Sequence, residues 1–242
     1  MHFFRAWALD IEHGDRVVVT NVDDIEIGPD DLEAMGLNDG NRSRVVYVAH
    51  LAAEGQIDIR CVADRDCGHK VDDYSYVTLC WTDYPALESY AMDEATLDRA
   101  NLLSFGARLP AGSELLPKLA HALRELFAVR LQHEHLPKPR YESGFTGSPR
   151  SLEKFDVLPT IDIRIRAEAA KYPRPEGDDP RAFAYGHDIG ELLLCAFGNA
   201  LRTQSGLNTR DAVEGALRSA MQVVGSYRRE RLFQKLEEWV AA

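Results

Sequence analysis

Apolar positions in the first hundred residues switch repeatedly between a helical and an alternating period. Phe3, Phe4, Trp7 and Ala8 form one stripe on a predicted helix from His2 to Ile11. Arg16 to Thr20 is β-branched and predicts a strand, and Asp23 to Ile27 extends the sheet after a turn. Ser43 to Ala53 reads as a helix despite Val45, Val46 and Val48, and Asn38 to Asn41 before it as a turn. Ile57 to Ala63 and Tyr76 to Trp81 read as strands. Asp83 is placed to cap a helix through Leu87, Tyr90 and Ala91, with Pro85 in its first turn.

After residue 100 the pattern becomes helical. Leucines 115, 119, 123 and 126 line one face of a predicted helix from Ser113 to His133. The stretch 134–158 carries Pro, Gly and Ser with Lys138, Arg140, Arg150 and Lys154, and reads as a loop. Ile161, Ile163 and Ile165 alternate with charged residues and fit a short strand, a helix remaining open. Tyr172 to Pro180 reads as a polar loop. Three helices follow, Ile189–Arg202, Thr209–Tyr227 with Thr209 as cap, and Arg229–Val240. The expected architecture is α/β, a mostly parallel sheet flanked by helices over 1–100, with a mainly helical part over 101–242 packed on it.

Composition narrows the class without naming it. The 242 residues are 45% hydrophobic and 28% charged, an ordinary globular balance. Lys and Arg number 28 against 39 Asp and Glu, a formal charge of −11, which argues against coating nucleic acid by charge alone. No apolar run reaches the roughly 18 residues of a membrane span, and the start lacks a signal-type apolar stretch. Four cysteines without an export signal read as reduced cytoplasmic thiols. A zinc set of Cys61, Cys67, His69 and Cys80 departs from the paired Cys-x2-4-Cys spacing, so buried apolar roles and one loop thiol are favoured.

The segment richest in chemistry is Ile57 to Gly68, where an apolar strand runs into Asp64-Arg65-Asp66. On an extended chain Asp64 and Asp66 project together, and ligands of parallel α/β sheets sit beyond the carboxyl ends of strands. Two such carboxylates suit a hard cation, Mg2+ or Mn2+, which in turn bridges phosphate oxygens. A solvated turn explains the same residues without function. The next strand ends in Thr82 and Asp83 and leads to Glu88, which reads equally as a helix-dipole partner. His187, between Gly186 and Asp188 at a helix start, is placed for an anion, or is a bystander beside a capping Asp188. His133 and His135 at a helix end read as solvated. Arg228, Arg229 and Arg231, like the loop cations, can track phosphates or only face water. A Gly-x4-Gly-Lys-Ser/Thr loop and a Gly-x-Ser-x-Gly elbow are both lacking, so the chain is not itself an ATPase of that type.

The runs Val62-Ala63-Asp64-Arg65-Asp66, Trp81-Thr82-Asp83-Tyr84-Pro85-Ala86-Leu87-Glu88-Ser89-Tyr90 and Tyr185-Gly186-His187-Asp188 resemble a family of bacterial Toprim-like domains. These are related to the nuclease half of the overcoming-lysogenisation-defect proteins, and members are encoded beside ABC-type ATPases in phage-defence operons. The resemblance implies Mg2+ or Mn2+ on Asp64 and Asp66, assistance from Glu88, and His187 near the phosphate of a nucleic-acid substrate. It departs at the front, because the family's first strand ends in a Glu and this sequence opens on the aromatic helix after it. Gly68 also stands where members often carry an acid. The resemblance thus predicts either a reading frame extending upstream of Met1 or a degenerate member that docks on a partner ATPase. Without that strand, Phe3, Phe4 and Trp7 are expected to have less to pack against and the sheet to expose ladder groups. The oligomeric state is left open.

Overall fold

The computed structural model describes residues 2–68, 71–132 and 163–242. Mixed helix and parallel sheet is the architecture, with helix dominant and, among the described residues, a sheet of two short strands. Two compact units divide the chain, Met1–Asp83 with Ser226–Ala242, and Tyr84–Gly225. The first unit thus takes in the last helix as well as residues 1–83.

The first unit opens with α1 (His2–Leu9), followed by α2 (Pro29–Ala34), α3 (Asn41–Glu54), β1 (Cys61–Ala63) and β2 (Leu79–Trp81). β1 and β2 are parallel, with Cys61 opposite Leu79 and Ala63 opposite Trp81. Val46, Ala49 and Ala52 are the buried stripe of α3, which packs on β1 and β2. Small residues there allow close approach, and the Thr78 hydroxyl donates to the Ala49 carbonyl at 2.5 Å. Both strands are shorter than their apolar runs. The amide of Ile57 bonds back to the Ala52 carbonyl at the end of α3, and Ile57 is 56% exposed, so pairing begins only at Cys61. Val77 is 78% exposed within a turn closed by the Leu79 amide on the Tyr76 carbonyl.

Of the expected strand at 16–20, Arg16 ends a 3-10 helix (Gly14–Arg16) and 17–20 lies outside any sheet, with Val18 88% exposed. β-branched content without a neighbour to pair with does not make a strand. Residues 22–24 form a 3-10 turn instead of strand, because Asn21 caps it by accepting from the Asp23 amide.

The second unit holds a 3-10 helix (Leu87–Ala91), α4 (Glu94–Leu103), α5 (Gly112–Arg130), α6 (Ile163–Ala169), α7 (Gly186–Ser205) and α8 (Arg210–Val224). α8 packs against α4, α7 and the 3-10 helix, and α5 packs against α4, α6 and α7. The leucine stripe of α5 is buried at Leu115, Leu119, Leu123 and Leu126. Thr209 caps α8 by accepting from the Ala212 amide at 3.2 Å. Around Ile163 and Ile165 the chain is helical, not extended; the Arg-Ala-Glu-Ala that follows favours helix over so short an alternation. The basic stretch 134–158, with His133, His135, Lys138, Arg140, Arg150 and Lys154, lies outside the described residues, as does His69.

α9 (Arg231–Ala241) completes the first unit. Its face meets α1: Phe3 and Trp7 are buried, and Phe3 lies edge-on to Tyr227 at 5.0 Å and to Phe233 at 5.8 Å. Phe4 stacks on Phe233 at 6.1 Å. The aromatic stripe, expected to have less to pack against, has Tyr227 and Phe233 from the far end of the sequence as partners. Trp239 Nε1 donates to Asp58 at 2.7 Å and the Arg60 guanidinium lies over its ring, tying α9 to the approach of β1.

Candidate functional site

Asp64 follows β1 directly and is exposed; Asp66, two residues on, is half-buried. Both therefore lie at the carboxyl end of a parallel strand. They do not continue it, because Asp66 takes a left-handed backbone conformation, φ 51°. The rule that alternate side chains share a face thus stops at Ala63. Asp66 Oδ2 receives Nη1 of Arg42, from the first turn of α3, at 3.0 Å. That guanidinium also lies 5.0 Å from the centre of the Trp81 ring at the end of β2. The amide of Arg65 donates to the Thr82 hydroxyl at 3.1 Å, and its guanidinium donates to the Asp83 carbonyl at 2.9 Å. The loop after β1 is thereby pinned to the end of β2.

Asp83 performs a different task from the one expected. Its Oδ2 accepts from the Leu232 amide at 3.0 Å, capping the first turn of α9 rather than a helix of its own. The helix after it is a 3-10 turn, capped by Ser89 Oγ, which accepts from the Ala86 amide at 2.9 Å and donates to the Ala184 carbonyl at 2.5 Å.

Glu88 and His187 belong to the second unit and meet in one charged network there. Glu88 is 6% exposed and pairs with Arg218 Nη1. Glu214, 5% exposed, accepts from Arg210 Nε at 3.2 Å and lies 3.1 Å from His187 Nδ1. Hydrogen bonding to Glu214 raises the His187 imidazole above its ordinary range, against the opposing effect of burial. Gly186 is dictated by Glu88, since a Cβ there would stand 2.5 Å from Glu88 Oε2. Both Asp188 oxygens take the fork of Arg130, at 2.6 and 2.7 Å, a bidentate pair whose guanidinium lies over Tyr185.

Two of the three expected metal ligands thus share an edge of the first unit, while the third, Glu88, is in the second and is held by Arg218. Among the described residues no group of three or more His, Cys, Asp and Glu side chains is arranged to hold a metal. Burial, with Cys80 nearby, pushes the Cys61 thiol up to about 11, and burial raises Cys80 too.

Arg42, Arg218, Glu214, Arg210 and Arg130 were missed by sequence reading. Arg42, Arg218, Glu214 and Arg130 have partners 24 to 130 residues away, besides the local steps within α8 from Arg210 to Asp211 and Glu214 and from Arg218 to Glu214. That Arg-x3-Glu-x3-Arg run, 210–214–218, was a legible signal of one charged helix face. No family model, curated protein or solved structure matches the chain. Among the described residues no helix is long and apolar enough to cross a membrane.

Proposed function

We propose that this chain is a Toprim-like component of a bacterial antiphage effector, acting in the cytoplasm, in which Asp64 and Asp66 form the acidic edge of a phosphodiester-hydrolysing centre. The observation that carries this is the position of Asp64, exposed immediately beyond β1 in a parallel pair, where α/β sheets collect ligands. Oxygen donors of this kind suit Mg2+ or Mn2+, and two of them make an open, incomplete coordination set. When bound, such an ion supplies Lewis-acid stabilisation of a phosphoryl group and a more acidic water. The chain's own residues fix the edge: Thr82 and Arg65 hold the loop, and Arg42 balances Asp66. Assistance from Glu88 and phosphate contact by His187 rest on the resemblance alone.

A second reading is a catalytically incomplete module that docks on, and is regulated by, an ABC-type ATPase. It is favoured by the pairing of Asp66 with Arg42 and of Glu88 with Arg218, each leaving a carboxylate already balanced. One experiment separates the two. The purified chain is incubated with plasmid DNA, and in parallel with RNA, in Mg2+ or Mn2+. Cleavage that Asp64→Asn abolishes supports the nuclease. Protein inert on both substrates that binds an ABC-type ATPase supports the module.

A further inference from the structure

Two polar atoms, one on α1 and one on α9, are satisfied by no described residue. Trp7 is 2% exposed, yet its indole Nε1 has no hydrogen-bond partner among the described residues. Glu237 Oε1 is likewise buried and without one. A polar atom buried unmet gives up its hydration for nothing, and native interiors leave few of them. The two are complementary in kind, since an indole N–H only donates and a carboxylate only accepts. Their surroundings are shared as well. The Trp7 ring lies 6.3 Å from Phe233, and Glu237 follows Phe233 by one turn on the same side of α9. Burial, opposed by Arg228, raises the Tyr227 hydroxyl, and the charges of Asp10 and Glu237 add to the rise. Glu237 therefore acts on the ring that meets Phe3 and Phe233 edge-on, and Asp10 directly follows α1.

We propose that one water molecule is bound between α1 and α9, accepting from Trp7 Nε1 and donating to Glu237 Oε1. Water is the smallest group that does both, and a buried water is held by roughly two to four polar partners. Phe3 and Phe4 meet Phe233 by ring contacts, which fix distance more than direction. The bridge adds direction: it sets the plane of the Trp7 ring and anchors the Glu237 carboxylate toward it. The two helices are thereby joined by a polar link as well as an apolar one. This site is independent of the acidic edge after β1.

The test is magnetisation transfer from water to the Trp7 indole proton, measured by NMR on the full chain labelled with 15N-tryptophan. The Trp7 signal is identified by its loss in Trp7→Phe. In the rotating frame a cross-peak from bound water has the sign opposite to one from proton exchange, so the two are told apart. Wild type is expected to show the bound-water peak at the Trp7 indole. Glu237→Gln is expected to keep it, because the amide oxygen still accepts, and Glu237→Leu to lose it. Circular dichroism confirms each fold, and should Glu237→Leu not fold, Glu237→Met, closer in length to glutamate, takes its place. Wild type without the peak overturns the bridge, and so does a peak that persists in full without the carboxylate. An indole signal that lacks the peak but shifts in Glu237→Gln overturns it too, by assigning a direct bond between the two side chains.

Discussion

Glu214 holds the Nδ1 side of His187 at 3.1 Å while Arg210 reaches the same carboxylate oxygen at 3.2 Å. The charged groups facing this imidazole are Glu214 and Arg210 from α8 and Glu88 from the 3-10 helix, and the bond to Glu214 prevails in raising its affinity for a proton. A histidine whose folded value exceeds the unfolded 6.5 stabilises the fold fully below 6.5. As pH rises through the folded value that contribution is lost. His187 is therefore expected to titrate above 6.5 by NMR of its ring signals, and Glu214→Gln to move it down. The pH dependence of thermal unfolding between 6.5 and the folded value is expected to flatten in His187→Gln. A titration at or below 6.5 in the wild type would contradict the pairing.

The Glu88–Arg218 pair and Gly186 are parts of one packing problem. Glu88 is buried and ion-paired with Arg218. Arg218→Ala strands a buried carboxylate, a defect that costs about 3 kcal/mol or more when the partner is fully buried. Arg218 is one-third exposed, which brings the expectation down to about 2 kcal/mol. Arg218→Ala in a Glu88→Gln background is expected to cost less than half as much. Gly186→Ala presses a methyl against Glu88 Oε2 and the Ala86 side chain, and is expected to destabilise by about 1–3 kcal/mol. Urea unfolding of wild type, Arg218→Ala, Glu88→Gln, the double variant and Gly186→Ala gives each value.

The helices of the second unit were readable because their apolar periods are long and their caps are local. The Thr209 cap and the leucine stripe of α5 need only a few neighbouring residues to be inferred. The strands were over-read for the opposite reason. Arg16–Thr20 has strand-forming residues, but pairing is a property of a neighbour, and Val18 points into water instead. In the same way Asp64 and Asp66 were legible as an acidic pair, whereas Arg42 was not. Its role depends on the first turn of α3 being brought beside the ends of β1 and β2, which nothing within a short window of sequence encodes.

Asp83 joins the two sequence-distant parts of the first unit through its bond to the Leu232 amide, 149 residues away. Glu230, at the N-cap position of α9, makes no side-chain cap bond, so Asp83 supplies that cap from outside the helix. Asp83→Ala is expected to cost about 1 kcal/mol, the ordinary value of a lost helix cap, and Asp83→Asn distinctly less because the amide oxygen still accepts. A fall in melting temperature for Asp83→Ala with partial recovery in Asp83→Asn is the expected pattern. Equal losses in both variants would assign the effect to charge instead.

Cys61 starts β1 with its amide bonded to the Thr78 carbonyl at 2.7 Å, and its thiol is held up to about 11 chiefly by burial. Only the thiolate alkylates, so at pH 8 the reactive fraction falls on the order of a hundredfold below that of an ordinary cysteine. Iodoacetamide at pH 8 is therefore expected to spare Cys61 in the folded protein and to modify it in urea. Mass spectrometry of the peptide spanning Cys61 reads both states. Fast labelling of folded Cys61 would mean that the β1–β2 ladder opens on the timescale of the reaction. The acidic edge, one residue past the end of β1, would then lack the fixed strand that its proposed chemistry requires.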